Sequence, residues 1–306
     1  MKSDSVKNMA ASVKDKLLQM ARQSGKSFQS LLIQYGLERF LYRLSQSSFK
    51  EEFILKGGLL LVGMGFPLAR TTRDIDFLGL MKRDADSVSA AIQQIGKLEL
   101  NDGVVYEFND LNIEVMSANS EYPGMRLMFT ASLGKAIFPM QIDVGFGDAI
   151  IPAAKEMTFP TLLDMEPPVV KAYSIETIVA EKFEAALNLA DLNSRMKDFY
   201  DMWILSQTYS FQGVALQESI MATCQRRKTE LNSSAEVFTK EFADHSDKRT
   251  QWISFLRKNK MLDIPEDFSA IMKEIRTFLQ PIANAIEKGV RFEKVWPPKG
   301  IWQTTI

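Results

Sequence analysis

Hydrophobic positions change their spacing several times along the chain. Over residues 5–22, Val6, Met9, Val13, Leu17 and Met20 recur every three or four residues, the mark of one face of an α-helix, and Gly25 ends the pattern. A second helix begins near Ser27 or Ser30, shows Ile33, Leu37, Phe40, Leu41 and Leu44 on one side, and stops in the polar run of residues 45–48. These two helices read as a packing arm. From Phe53 the apolar positions become nearly continuous, in a segment expected to start as helix, cross Gly57 and Gly58 and reach Pro67. A strand over 74–80 and a polar helix over 84–95 follow. Strands are expected over 104–108 and 112–116, around the turn dipeptide Asn109-Asp110, and over 126–133 and 137–146, separated by Gly134-Lys135.

This succession predicts an α+β core with a mixed sheet and mostly hairpin connections after the first crossover. Pro160, Pro167 and Pro168 punctuate its exit, and beyond them the pattern is helical. Ser174 can cap a helix to about Ala190, residues 196–208 form another, and more fill the chain to Lys288. The last twelve residues, with Trp296 and Trp302, are expected to lie extended. The expected organisation is a helical arm over 1–50, an α/β core over 51–165 and a helical domain over 166–306.

Composition narrows the chemistry. At 306 residues the chain exceeds one ordinary core, and 46% apolar with 25% charged residues is the balance of a globular protein. The longest apolar stretch, near residues 57–69, is too short and too rich in Gly and Pro to span a bilayer. The polar amino terminus lacks an apolar core before a cleavage site, so a cytoplasmic location without membrane partners is expected. Cys224 is the single cysteine and His245 the single histidine, which excludes thiolate metal clusters and zinc held by clustered histidines. Catalysis is left to Asp, Glu, Lys and Arg. The formal charge of −1 argues against a general basic coat. Two local clusters, Arg226-Arg227-Lys228 and Lys248, Arg249, Arg257, Lys258 and Lys260 around Trp252 and Phe255, read either as solvated helix faces or as a phosphate-backbone surface.

Five elements carry candidate chemistry. Gly57-Gly58 permits positive φ and close backbone approach to phosphate, though such pairs also end helices or relieve packing. Asp74 and Asp76, two apart on a strand, share a face, and adjacent carboxylates of this kind suit Mg²⁺. Asp143 falls on the polar side of a second strand, where Met140, Ile142, Val144 and Phe146 alternate with it. Three carboxylates from two neighbouring strands could hold a pair of divalent ions for phosphoryl or nucleotidyl transfer. Lys182 lies inside the apolar stripe Ile175, Ile178, Val179, Phe183, Ala186, and is either a snorkelling or ion-paired side chain or a phosphate contact. Asp198 and Asp201 are one helical turn apart beside Lys197.

Taken in order, the segments LKGG (55–58), RTTRDIDF (70–77), IDVGFGD (142–148), AEKFEA (180–185) and RMKDFYD (195–201) resemble the AbiEii/AbiGii toxin family of nucleotidyltransferases, in the DNA polymerase β-like superfamily. The likeness runs over about residues 15–260. It implies a polymerase β-like nucleotidyltransferase core with N-terminal helices and a helical C-terminal domain. It also implies that Gly57 and Gly58 face the triphosphate, that Thr72 sits close to the nucleotide, and that Asp74 and Asp76 bind the metals. Asp143 would be the third carboxylate, activating the acceptor hydroxyl. Lys182 would contact the triphosphate, and Asp198 would be the acid of the last motif. The implied function is a Mg²⁺-dependent enzyme, with a two-ion site, that transfers NMP from an NTP to an acceptor hydroxyl, with the 3′ end of tRNA as expected acceptor. It would work within a toxin–antitoxin or phage-defence system with an antitoxin partner. A protein hydroxyl as acceptor and a non-catalytic nucleotide- or RNA-binding module stand as alternatives. The chain departs from the wider superfamily in having Gly-Gly for the usual Gly-Ser and a longer gap from Gly58 to Asp74.

Overall fold

A computed structural model describes residues 2–66, 72–116, 123–190, 193–261 and 263–304, with side chains from residue 8 onward. Arg70 and Thr71 of the second motif lie outside the described residues. The chain divides into two compact units, one of residues 1–147 and 155–172, the other of residues 148–154 and 173–306.

The first unit opens with helices α1 (Lys2–Ser24) and α2 (Phe28–Ser45). Ser27 caps α2, its Oγ accepting the Ser30 N–H at 3.1 Å. The expected apolar face of α2 is buried, with Leu37, Phe40, Leu41 and Leu44 fully enclosed. At Gly36 a Cβ would fall 2.3 Å from the Phe138 ring, so glycine lets the helix lie directly on the sheet. Two buried ion pairs lock this placement. Arg43 donates to both oxygens of Asp102, at 2.5 and 3.1 Å, and Glu38 pairs with Arg39 at 2.9 Å while accepting the Leu162 N–H at 2.6 Å.

The sheet contains β1 (Phe53–Lys56), β2 (Ile75–Gly79), β3 (Val104–Met116), β4 (Gly124–Leu133), β5 (Ala136–Phe146), β6 (Lys155–Thr158) and β7 (Val169–Ala172). Their order is β3-β4-β5-β2-β1-β7-β6. The β2–β5 and β1–β7 pairs are parallel and the others antiparallel, so the sheet is mixed, as the sequence pattern predicts. Helix α3 (Gly57–Gly63) joins β1 to β2, and α4 (Ala85–Gly96), capped by Asp84, crosses from β2 to β3.

Three local expectations are corrected. The segment beginning at Phe53 is strand rather than helix, and the helix starts only at Gly57. Three buried apolar residues followed by Lys56 have no telling period, and pairing with β2 and β7 decides for strand. Asn109-Asp110 makes no hairpin. Both expected strands belong to the single strand β3, which pairs with β4 on either side of a register irregularity between Glu107 and Asn112. The proline-punctuated exit adds β6 and β7 to the sheet, which local pattern did not show.

The second unit is built on α5 (Ile175–Leu189), α6 (Met196–Thr208), α7 (Gly213–Arg227), α8 (Lys240–Asp244), α9 (Ser246–Lys258) and α10 (Phe268–Glu287). Ser174 caps α5 as expected. Extended terminal strands β9 (Lys294–Trp296) and β10 (Gln303–Thr304) form a small sheet with β8 (Phe211–Gln212). Trp296 and Trp302 pack with Phe278 and donate their indole N–H groups to the Ser206 and Phe278 carbonyls, both at 2.8 Å. His245 caps α9, its Nδ1 accepting the Asp247 N–H. Among the described residues no helix is long and apolar enough to cross a membrane.

Candidate active site

The cross-strand register assembles the site. Asp76 on β2 lies directly opposite Asp143 on the parallel β5, opposite Lys56 on the antiparallel β1, and Asp143 lies opposite Arg126 on β4. Directly paired residues of neighbouring strands project to the same face, so these four side chains share one side of the sheet. Helix α2 takes the other side, where Phe138 and Met140 meet Gly36. Asp74, immediately before β2, has the parity of Asp76 and joins it. Asp74, Asp76 and Asp143 each bring a carboxylate oxygen within 4.8 Å of the others.

The surroundings are made for negative charge. Gly57 has φ +67°, and a Cβ there would stand 1.9 Å from Asp76 Oδ2, so the backbone closes on the carboxylate only because residue 57 has no side chain. The Gly58 N–H points to the same oxygen at 3.4 Å. Thr72 is buried and its hydroxyl donates to Asp74 Oδ1 at 3.1 Å. Burial, and then repulsion from Asp74 and Asp143, holds the Asp76 carboxyl above the ordinary carboxylate range, against the pull of Lys56 and the Gly58 N–H. A cluster of oxygen donors that repel one another fits a hard divalent cation such as Mg²⁺.

Asp143 is differently held. Arg126 grips it with a fork, Nε to Oδ1 at 2.9 Å and Nη2 to Oδ2 at 2.7 Å, and the Gln141 amide donates to the same two oxygens at 3.2 and 3.3 Å. The hydrogen bond to Asp143 raises the Arg126 pKa, reinforced by the charges of Asp143, Asp74 and Glu114. Motif spacing assigns no site role to Arg126, Gln141 or Lys56, although Lys56 lies within LKGG. Gln141 shares the polar face of β5 with Asp143 by parity, whereas Arg126 and Lys56 meet the acids only through the strand register.

Lys182 and Asp198 belong to the second unit and are brought together there. The Lys182 ammonium lies 3.0 Å from Asp198 Oδ1 and 2.7 Å from Asp201 Oδ2, and both carboxylates are almost wholly buried. Arg195 adds a contact to Asp198 at 2.6 Å. Burial alone would lower the Lys182 pKa, but Asp201 and Asp198 outweigh it and keep the ammonium charged. Asp198 is likewise held below its ordinary range because Lys182 and Arg195 overcome its burial. The inward lysine of the α5 stripe is therefore matched by buried acids on α6, which satisfies the requirement that a buried charge be paired.

The two basic clusters differ in how their residues are held. Trp252 is fully buried and Lys248 is enclosed, donating to the Asn193 carbonyl at 2.8 Å, so neither offers a stacking or phosphate contact. Arg227 is engaged by Glu184 at 2.7 Å, Glu181 at 3.3 Å and Asp148 at 3.4 Å. Arg249, Arg257, Lys258 and Lys260 are exposed.

Comparison with known proteins gives the chemistry a setting. Two solved structures are similar. One is of a candidate nucleotidyltransferase from H. pylori, at 16% identity over 87% of this chain and 100% of that one, with a TM-score of 0.47. The other is JHP933 from Helicobacter pylori, at 17% identity over 86% of this chain and 95% of that one, with a TM-score of 0.47. Similarity at this level adds nothing about individual residues. No curated protein matches the chain closely in sequence. The family model described as nucleotidyl transferase AbiEii toxin, type IV toxin–antitoxin system, matches residues 39–274, from within α2 into α10 and across all five motifs. The chain therefore belongs to the AbiEii nucleotidyl transferase toxin family.

Proposed function

We propose that this nucleotidyltransferase is Mg²⁺-dependent and moves NMP from an NTP to a hydroxyl at the 3′ end of tRNA, with pyrophosphate as the leaving group. The observation that carries the reading is the convergence of Asp74, Asp76 and Asp143 from β2 and β5 within 4.8 Å. Asp74 and Asp76 would hold the metal with Asp143 completing the set, and bound Mg²⁺, as a two-ion pair, would neutralise charge on the attacking and leaving oxygens. The Gly57-Gly58 backbone would lie against the triphosphate, where an N–H already directed at a carboxylate oxygen suits a phosphate oxygen equally. Thr72 would orient Asp74 beside the nucleotide. Asp143 would accept the proton of the acceptor hydroxyl as its oxygen forms the new bond to the α-phosphorus. Lys182 would bear on the triphosphate, with Asp198 and Asp201 fixing its charge and rotamer. Rate enhancement would come from positioning and electrostatics, without a covalent intermediate.

In this reading the protein acts in the cytoplasm as the toxin of a two-gene toxin–antitoxin or phage-defence system, neutralised by an antitoxin product. The test is incubation of the purified chain with each labelled NTP, Mg²⁺ and total tRNA. Label that enters an RNase-sensitive product, and fails to do so with Asp76→Asn, supports the reading. Label in a protease-sensitive product moves the acceptor to a protein hydroxyl. NTP binding by calorimetry with no transfer to either acceptor overturns the catalytic reading.

A further inference from the structure

The third carboxylate is not available in the way the first two are. An ionised carboxylate has about four lone-pair positions. On Asp143 both oxygens are occupied, each by one arm of the Arg126 fork and, at longer range, by the Gln141 amide nitrogen they share. The fork is the geometry in which Arg and carboxylate bind most strongly, and the Asp143 side chain is only 12% exposed, which limits screening by water. Among the described residues Asp74 and Asp76 carry no comparable load: Asp74 accepts one hydroxyl, from Thr72, and Asp76 one long N–H contact, from Gly58. A cation approaching the three acids therefore finds two open carboxylates and one whose charge is already matched. Lys56 faces Asp76 in register and lowers the net charge of the site further.

We propose that Arg126 is a positioning residue that acts as the resident counter-cation of Asp143, so that the nucleotide-free protein takes one divalent ion, on Asp74 and Asp76. Asp143 becomes available to a second ion, or to the acceptor proton, only when the guanidinium lets go. The Arg126 side chain is 36% exposed, so it is not enclosed by the protein as Asp143 is. This inference rests on the metal-site reading above and adds an order of events to it.

Mn²⁺ titrated into the full chain without nucleotide, with free Mn²⁺ followed by paramagnetic resonance, tests both ideas separately. Wild type is expected to bind one ion, and Asp76→Asn to weaken it at least tenfold. Arg126→Gln is expected to tighten Mn²⁺ binding at least tenfold or to add a second ion. In the Asp143→Asn background the same Arg126→Gln change is expected to gain less than threefold, because no carboxylate is left to release. Equal gains in both backgrounds would mean general electrostatics and overturn the proposal, as would two ions bound by wild type. Binding indifferent to Asp76→Asn overturns the metal site itself, and with it both readings. Should Arg126→Gln fail to fold, Arg126→Lys keeps the charge but loses the fork. Its gain, expected to be at least threefold with Asp143 and absent in the Asp143→Asn background, decides the matter in the same cycle.

Discussion

Gly57 and Asp76 approach so closely that no side chain fits at position 57: a Cβ there would lie 1.9 Å from Asp76 Oδ2, and its φ of +67° is one that L side chains rarely adopt. Gly57→Ala is therefore expected to push the Asp76 carboxylate out of line and strain the turn from β1 into α3. The expected cost is roughly 1–2 kcal/mol of stability, read from denaturant unfolding, with at least a tenfold loss of transfer. A variant as active and as stable as wild type would show that the close approach has no role.

Asp76 is destabilised where it stands, by burial and by Asp74 and Asp143. Asp76→Asn is expected to abolish most transfer, about 10²–10³-fold or more, yet to raise the melting temperature of the metal-free protein. The opposite signs are diagnostic of a residue kept for function against stability. Thermal melts with excess EDTA provide the check, and a lowered melting temperature would count against it.

Glu38 supplies a pH dependence far from the carboxylate cluster. Burial, only partly offset by Arg39 and the Leu162 N–H, pushes its carboxyl from 4.5 up to about 7. A folded pKa above the unfolded one means that the folded state holds the proton more tightly. Stability is then fully present below pH 4.5 and declines as pH rises towards 7, by up to about 3 kcal/mol. Glu38→Gln is expected to flatten this part of the stability–pH curve while keeping an acceptor for Leu162. An unchanged slope between pH 4.5 and 7 would refute the assignment.

Lys182 stands between two buried acids, so its removal leaves both without their shared cation. Lys182→Met is expected to cost about 3–5 kcal/mol, measured by urea unfolding at pH 7. The loss should shrink as pH falls, because Asp198 is held below its ordinary range in the wild type and that contribution disappears once the acid is protonated. A loss that does not vary with pH would point to packing rather than charge.

Long, regular elements were legible from local pattern. The α1 and α2 faces, the hairpin of β4 and β5, and the cap at Ser174 follow from periodicity and from a single polar side chain that answers a backbone N–H group within the next turn. Short elements were not. Residues 53–56 satisfy helix and strand templates alike, and β6 and β7 are four-residue strands beside prolines. Asn109-Asp110 has turn chemistry, yet β4 runs on opposite both sides of it, so pairing across the sheet overrides the local preference. His245 and Trp252 also show the limit of composition: one is a helix cap and the other a core residue.

Local pattern is enough to mark the candidate carboxylates, since Asp74 and Asp76 share a face by parity and Asp143 alternates with an apolar series on its own strand. It also determined the mixed α+β class and, through five ordered motifs, the family. That Asp76 and Asp143 are direct neighbours, that Gly57 closes on Asp76 and that Arg126 already holds Asp143 emerge from the folded sheet alone. Period and register are different quantities. A strand's own alternation says which side a residue faces, whereas its partner across the sheet depends on how far one strand slides along the next, a quantity fixed by the packing of the whole unit.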